Sequence, residues 1–229
     1  MTKNRQTKET PVAALAGNPN VGKSTIFNAL TGMRQHTGNW PGKTVSLAQG
    51  VCVYKGEEIR LVDLPGTYAL VSKSQEEILA AGFISGGEAD CVIAVCDATS
   101  LERSLILALQ VMELTDRVIV CVNLMDEARK QGIEIELAAL SFELGVPVVA
   151  ASASREEGMG ELLEQLRRIL DGFEAPRPRR CGVVPNSIRE SHLGAEALRG
   201  ASGRASDEIA AQFVRRAEEI AKRVVRETR

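Results

Sequence analysis

No run of apolar residues in this chain approaches the roughly 18 that a membrane-spanning helix needs. Met1 to Thr10 is polar throughout and lacks the apolar core of a secretory signal. The sequence as it stands is therefore expected to be soluble and cytoplasmic. Histidine is scarce: His36 and His192 are the two present, and neither stands among other metal-ligand residues. Aromatic residues make up 3%, and the C-terminal stretch shows no interleaving of aromatic and basic residues of the kind RNA-binding surfaces use. The five cysteines, Cys52, Cys91, Cys96, Cys121 and Cys181, are odd in number and form no CxxC pair. Four of them fall in strand-like runs, so they read as small buried residues of a reduced, intracellular protein. Internal repeats and low-complexity tracts are absent.

What is present is ordinary in bulk and uneven in detail. Hydrophobic residues at 44% and charged residues at 25% suit a globular protein, and 229 residues suit one medium α/β domain with a smaller appendage. The net charge of −2 divides unequally. Pro176 to Arg229 carries 12 Lys/Arg against 7 Asp/Glu, and Met1 to Ala175 carries 16 against 23. An acidic body argues against a general nucleic-acid binder. The basic tail reads first as a solvated helix face and second as a contact for an anionic membrane surface.

One stretch organises the rest. Gly17-Asn18-Pro19-Asn20-Val21-Gly22-Lys23-Ser24 has the spacing G-x-x-x-x-G-K-[ST]. The apolar run Val12 to Ala16 precedes it, and Thr25 to Gly32 follows with helical spacing and a glycine stop. Strand, glycine loop and helix make the context in which this motif binds phosphate. Backbone N–H groups cradle the oxygens at a helix N-terminus. Lys23 is placed to reach the β- and γ-phosphates, and the Ser24 hydroxyl to ligate Mg²⁺.

Taken in order, Met33 to Thr44 has no periodicity and reads as a long mobile loop. Val45 to Tyr54 and Glu58 to Asp63 read as strands joined by a hairpin at Lys55-Gly56. Ser74 to Ile84 reads as a helix capped by Ser74, with Glu76 and Glu77 in its first turn. Cys91 to Cys96, Arg117 to Leu124 and Val146 to Ala151 read as buried strands, alternating with helices at Ser100 to Leu114, around Ile135 to Leu144, and at Gly158 to Asp171. The predicted fold is a doubly wound, mainly parallel α/β sheet of P-loop type with a short C-terminal helical appendage. Residues 1–171 form the nucleotide-binding domain and 172–229 a linker and helical tail. Within the tail, Ser187 to Arg199 is weakly helical. Ser206 to Thr228 is an amphipathic helix with Ser206 as cap and the stripe Ile209, Phe213, Ala217, Ile220, Val224. That stripe must dock on the main domain, on a second protomer, or on a further segment.

Three more stretches fall at strand ends. Asp63-Leu64-Pro65-Gly66 places a carboxylate where it can hold Mg²⁺ through water, and Gly66 can offer a backbone N–H to a γ-phosphate. In Asn123-Leu124-Met125-Asp126, the Asp126 carboxylate can accept from the N1–H and 2-amino group of guanine, which adenine cannot supply. Asn123 would brace this loop. Ser152-Ala153 places the Ala153 N–H at the guanine oxygen. In this order, each at a strand end, the motifs read as a GTPase.

On these motifs and on Gly38-Asn39-Trp40-Pro41-Gly42-Lys43-Thr44-Val45 and Asp63 to Tyr68, the chain resembles the translation-factor-like GTPases. Within them it is most similar to the cytosolic N-terminal G domain of the ferrous-iron transport protein B family, over about Pro11 to Asp171. The resemblance implies a catalytic set of Asn20, Lys23, Thr44 and Gly66. It implies nucleotide contacts from Gly17 through Thr25, and from Asn39, Trp40, Thr44, Asp63, Gly66, Asn123, Leu124, Asp126, Ser152 and Ala153. Mg²⁺ would be held by Ser24 and Thr44, with Asp63 acting through water, and K⁺ by Asn20. Trp40 either closes over nucleotide or packs beneath its own loop.

The family also implies ferrous-iron transport at the cytoplasmic face of a bacterial inner membrane, through a transmembrane remainder of the same polypeptide, although the chain contains no iron-ligand cluster. Thr67 stands where small signalling GTPases place the glutamine that orients water. A monovalent cation at Asn20 would then supply charge to a slow hydrolysis. Leu124 and Ser154 stand where lysines are common, which points to fast GDP release. Self-association and exchange of the last helix between protomers are further expectations. The rival readings are a GTPase of ribosome or RNA maturation and a nucleotide-gated binding module with negligible hydrolysis.

Overall fold

Alternate residues of three strands face opposite sides of one sheet, and the sequence pattern explains why. In β1 (Val12–Gly17), Ala13 and Leu15 face one apolar cluster while Val12, Ala14 and Ala16 face another. β5 (Cys91–Asp97) and β6 (Val118–Asn123) divide in the same way, with Ile93 and Cys121 on the first side and Ala94 and Val120 on the second. A strand apolar on both faces must be covered on both faces. α1 (Lys23–Thr31) and α6 (Met159–Leu170) cover the first side. α2 (Gln75–Ser85), α3 (Leu101–Leu114), α5 (Leu137–Leu144) and α7 (Arg204–Val224) cover the second.

The computed structural model describes residues 10–32, 35–39, 46–70, 74–174, 176–184 and 204–227. Besides the elements above it contains β2 (Gln35–Asn39), β3 (Ser46–Tyr54), β4 (Glu57–Asp63), α4 (Met125–Lys130), β7 (Ile133–Ile135), β8 (Val148–Ala150) and β9 (Val225–Glu227). Seven strands form one sheet in the order β2-β3-β4-β1-β5-β6-β8. β1 pairs in parallel with both β4 and β5, and β5–β6 and β6–β8 are also parallel. β2–β3 and β3–β4 are antiparallel. The chain runs from β1 to one side of the sheet and then to the other. The reversal beside β1 opens the crevice in which such sheets bind ligands.

The expected doubly wound, mainly parallel architecture is thus present. The hairpin sits at Lys55-Gly56, both left-handed at φ 50° and 82°, as a two-residue turn between twisted strands requires. Ser74 caps α2 with a reciprocal capping box to Glu77. All four strand cysteines are buried, and burial pushes the Cys91 and Cys121 thiols up to about 12, away from nucleophilic chemistry.

Three expectations need correction. Met33 to Thr44 is not wholly loop: Gln35–Asn39 is an edge strand on β3. The helix expected around Ile135 to Leu144 begins only at Leu137, because Ile133–Ile135 is a strand with an antiparallel partner in Val225–Glu227. For the same reason the last helix stops at Val224 instead of running on to Thr228, and it begins at Arg204, so Ser206 lies inside it rather than at its cap. The expected helix at Ser187 to Arg199 lies outside the described residues.

The tail's apolar stripe docks on its own domain. Phe213, Ala217, Ile220 and Val224 are fully buried in the cluster that contains Leu105 and Met112 of α3 and Leu140 and Leu144 of α5, and Ile209 packs against it. Glu143 accepts hydrogen bonds from Arg216 at 2.9 Å and Arg223 at 2.8 Å. The Arg223 contact, more than any other, holds the Glu143 carboxyl below the usual glutamate range. Each large buried apolar side chain stabilises by about 1.5–3 kcal/mol, whereas an exposed ion pair adds at most about 1 kcal/mol. The stripe therefore holds the tail, and the charges fix its orientation. Glu113 of α3, wholly buried, secures the approach by accepting from the N–H groups of Gly182 at 3.0 Å and Val184 at 3.1 Å.

Candidate functional site

The loop after β1 is shaped by backbone that only small or tolerant residues adopt. Asn20 and Gly22 are left-handed, at φ 67° and 84°. A Cβ at Gly17 would lie 2.7 Å from the Val95 carbonyl oxygen, and one at Gly22 would run into the Asn123 amide. Both glycines are required by close approach, and Gly22 by its left-handed conformation as well. α1 begins at Lys23 with no side-chain cap and no acidic residue in its first turn. Its first N–H groups are left for an anion, unlike those of α2, which Ser74 and Glu77 satisfy.

The sheet brings Asp63 of β4 to this loop. Lys23 Nζ lies 3.3 Å from Asp63 Oδ1, with side-chain exposures of 9% and 13%. Ser24 Oγ donates to Asp63 Oδ2 at 3.2 Å. Asp63 Oδ1 is buried and in electrostatic contact with Lys23, but it has no aligned hydrogen bond. A hydroxyl beside a carboxylate with a spare oxygen is a hard donor set, and it fits Mg²⁺. Gly66 is exposed, and a Cβ there would meet Pro19 Cα and N at 3.3 Å. The segment is tied to the loop by Thr67 N–H donating to Gly17 O at 3.4 Å. Thr25 is exposed in the first turn of α1.

On the far side of the loop, Asn123 is almost fully buried. Its Nδ2 donates to Val21 O at 3.0 Å, and its Oδ1 accepts from Ala153 N–H at 3.0 Å. One amide thus fastens the glycine loop to the segment after β8. The Ala153 N–H, read from sequence as a donor to a base, is engaged by Asn123 here. Leu124 is left-handed at φ 64° and caps α4. Asp126, in the first turn of α4, is buried, and its Oδ2 lies 3.3 Å from Arg155 Nε. Ser152 is buried, with an Oγ that makes no hydrogen bond.

Gly17 through Thr25, Asp63, Gly66, Asn123, Leu124, Asp126, Ser152 and Ala153 therefore gather at the carboxyl ends of β1, β4, β6 and β8. Asn39 ends β2. Trp40 and Thr44 lie outside the described residues. Three residues that bear on the site were not legible in sequence. Arg155 pairs with Asp126. Arg103 of α3 stacks on Tyr68 at 4.7 Å and offers its carbonyl to Asn18 Nδ2 at 3.5 Å. Buried Gln110 accepts from Leu70 N–H at 2.6 Å, fastening the segment after Gly66 to α3. Arg155 and Arg103 sit at ordinary polar positions of a turn and a helix, and no spacing rule marks them. A cleft of about 1140 Å³ lined by Thr10, Arg60, Asp90 and Arg117 lies at the opposite ends of the strands and contains none of the motifs. Among the described residues no three His, Cys, Asp or Glu side chains converge as a metal site.

Comparison with known proteins agrees with this geometry. The family model described as "Ferrous iron transport protein B" matches residues 11–166. The Fe(2+) transporter FeoB of Escherichia coli (strain K12) is 45% identical over 165 residues, covering 70% of this chain and 21% of that protein. The Salmonella typhimurium transporter is 44% identical over the same length. This chain thus spans about a fifth of the curated relatives it matches. Among solved structures, the cytosolic domain of T. maritima FeoB in its GMPPNP form superposes with a TM-score of 0.81 at 32% identity, over 95% of this chain and all of that one. The L. pneumophila cytosolic domain gives 0.80 at 32%, over 94% and 100%. The structural likeness therefore continues past the motifs into the tail. By the match over residues 11–166 and these identities, the chain belongs to the ferrous iron transport protein B family and corresponds to its N-terminal G domain with the segment that follows.

Proposed function

We propose that this chain binds GTP and GDP with Mg²⁺, hydrolyses GTP slowly, and gates a ferrous-iron transporter formed by the rest of a longer polypeptide. The observation that carries the reading is the convergence of Lys23, Ser24 and Asp63 on one side of a glycine loop with Asn123 and Asp126 on the other. Residues 1–171 are the nucleotide-binding unit and 172–229 the linker and tail. The site lies on the cytoplasmic side, as the relatives' cytosolic-domain structures suggest.

Each residue has one task. The backbone of Gly17 to Lys23 holds the β- and γ-phosphates, and Lys23 neutralises the charge that grows on them in the transition state. Ser24 and Thr44 would hold Mg²⁺, with Asp63 acting through water. The ion's contribution when bound is to neutralise phosphate oxygens. Gly66 offers its N–H to the γ-phosphate as the segment from Asp63 closes. Asp126 accepts from the two donors on the guanine edge, Leu124 covers the ring, and Asn123 and Ser152 keep the two base loops in register. The Ala153 N–H reaches the guanine oxygen by sharing itself between that oxygen and Asn123 Oδ1. Asn39 and Trp40 belong to the segment that would close over the nucleotide.

Thr67, buried behind Gly66, cannot orient water as a glutamine would. Asn20, exposed and left-handed, would hold K⁺, which would supply the missing charge. GTP turnover is therefore expected to be at least about tenfold faster in K⁺ than in Na⁺, and Asn20→Ala should abolish that difference while GDP binding persists. Single-turnover phosphate release in the two salts measures it. Turnover indifferent to both cation and Asn20 would contradict the K⁺ reading. Negligible turnover in either salt would favour a nucleotide-gated binding module.

A further inference from the structure

Two ion pairs cross between α4 and the turn that follows β8. Arg155 Nε lies 3.3 Å from Asp126 Oδ2, and Arg129 Nη1 lies 3.8 Å from Glu157 Oε2. The signs are opposed: α4 presents acid and then base, and the turn presents base and then acid. A slip between the two would set Arg129 against Arg155 or Asp126 against Glu157, so the charges specify one register. The turn is itself closed by Ser152 N–H to Glu157 O at 3.1 Å, Glu157 N–H to Ser152 O at 3.3 Å, and Arg155 N–H to Ser152 O at 2.9 Å. The two pairs differ in kind. Arg129 and Glu157 are both well exposed, and such a pair contributes little. Arg155, 53% exposed, reaches from solvent onto a carboxylate only 9% exposed.

Leucine at 124 and serine at 154 carry no charge, so Arg155 brings the positive charge to Asp126. We propose that Arg155 is a positioning residue for purine selection: by holding Oδ2 it turns both Asp126 oxygens toward the N1–H and 2-amino donors of guanine. Each carboxylate oxygen has two lone pairs, so Oδ2 serves Arg155 and the base together. The inference rests on the guanine reading of the site and deepens it. Hypoxanthine lacks the 2-amino group and needs only one Asp126 oxygen. Loss of Arg155 therefore penalises guanine more than hypoxanthine.

The test is displacement of a fluorescent GDP analogue by GDP, IDP and ADP on the full chain with Mg²⁺. Arg155→Ala is expected to weaken GDP by about tenfold, the factor that one well-made polar contact supplies, and IDP by about threefold or less. Arg155→Lys should restore most of the GDP affinity. In an Asp126→Asn background, Arg155→Ala should change GDP binding by less than about twofold, since coupled residues do not add. Unchanged or tighter GDP binding in Arg155→Ala overturns the inference, and so does an equal loss for GDP and IDP, which marks the pair as merely structural. If the unmutated chain fails to prefer GDP to ADP, the guanine reading falls and takes this inference with it.

Discussion

Lys23→Ala is expected to lower single-turnover GTP hydrolysis by at least about 10³, the scale on which one positive charge at a phosphoryl group acts. Lys23 is 9% exposed at the mouth of the glycine loop, held 3.3 Å from Asp63. That contact keeps the ammonium aimed along the loop rather than out to solvent. Alanine removes the charge and leaves Asp63 with its bond from Ser24. The carboxylate then faces the phosphates without a neutralising partner, so nucleotide affinity should fall together with the rate. Lys23→Arg separates charge from shape. It keeps the positive charge, but its planar fork does not reproduce an ammonium's point contact, and it is expected to lose most of the rate as well. Circular dichroism establishes that each variant folds. Folded Lys23→Ala that hydrolyses GTP within tenfold of the unmutated chain contradicts the role.

Asp126→Asn is expected to weaken GDP by at least about 10² and to make XDP the better ligand, because a site built to pair specific donors rejects a base that leaves its groups unmatched. A carboxylate presents acceptors only. Asparagine presents one acceptor and one donor, and its NH₂ meets the guanine 2-amino group head-on. Xanthine carries a carbonyl at that position and accepts the bond instead. Because Asp126 is buried in the first turn of α4, the side chain has little room to turn away from the mismatch. Competition between GDP and XDP for a fluorescent nucleotide reads the inversion. A variant that keeps its preference for GDP would show that Asp126 does not choose the base.

Much of this was legible in sequence because it is local. The glycine loop, the turn at Lys55-Gly56 and the Ser74 cap are each fixed by residues within a few positions of one another, so spacing suffices. Short, β-branched apolar runs such as Cys91 to Cys96 and Val118 to Val122 suit strands covered on both faces, and both runs are buried so. The misread elements depend on distant partners. Ile133–Ile135 and Val225–Glu227 are three residues each, too short to show alternation, and each is a strand only because the other lies beside it. Gln35–Asn39 is similar, a polar strand held by β3. Buried polar groups hid in the same way. Glu113 and Gln110 stand among the buried apolar residues of α3, and only the fold reveals that they accept bonds from the backbone around residues 182–184 and 70. At the site, chemistry carried by a motif could be read ahead. Arg155, which acts on a motif residue from outside it, could not.

The account rests on a loop that holds phosphates beside a carboxylate that selects guanine. Calorimetric titration of the unmutated chain with GDP and with ADP, each with Mg²⁺, addresses both at once. GDP is expected to bind at least about 10³ more tightly than ADP, since adenine offers Asp126 no matching pair of donors. Equal binding of the two, or no binding of either, would contradict it.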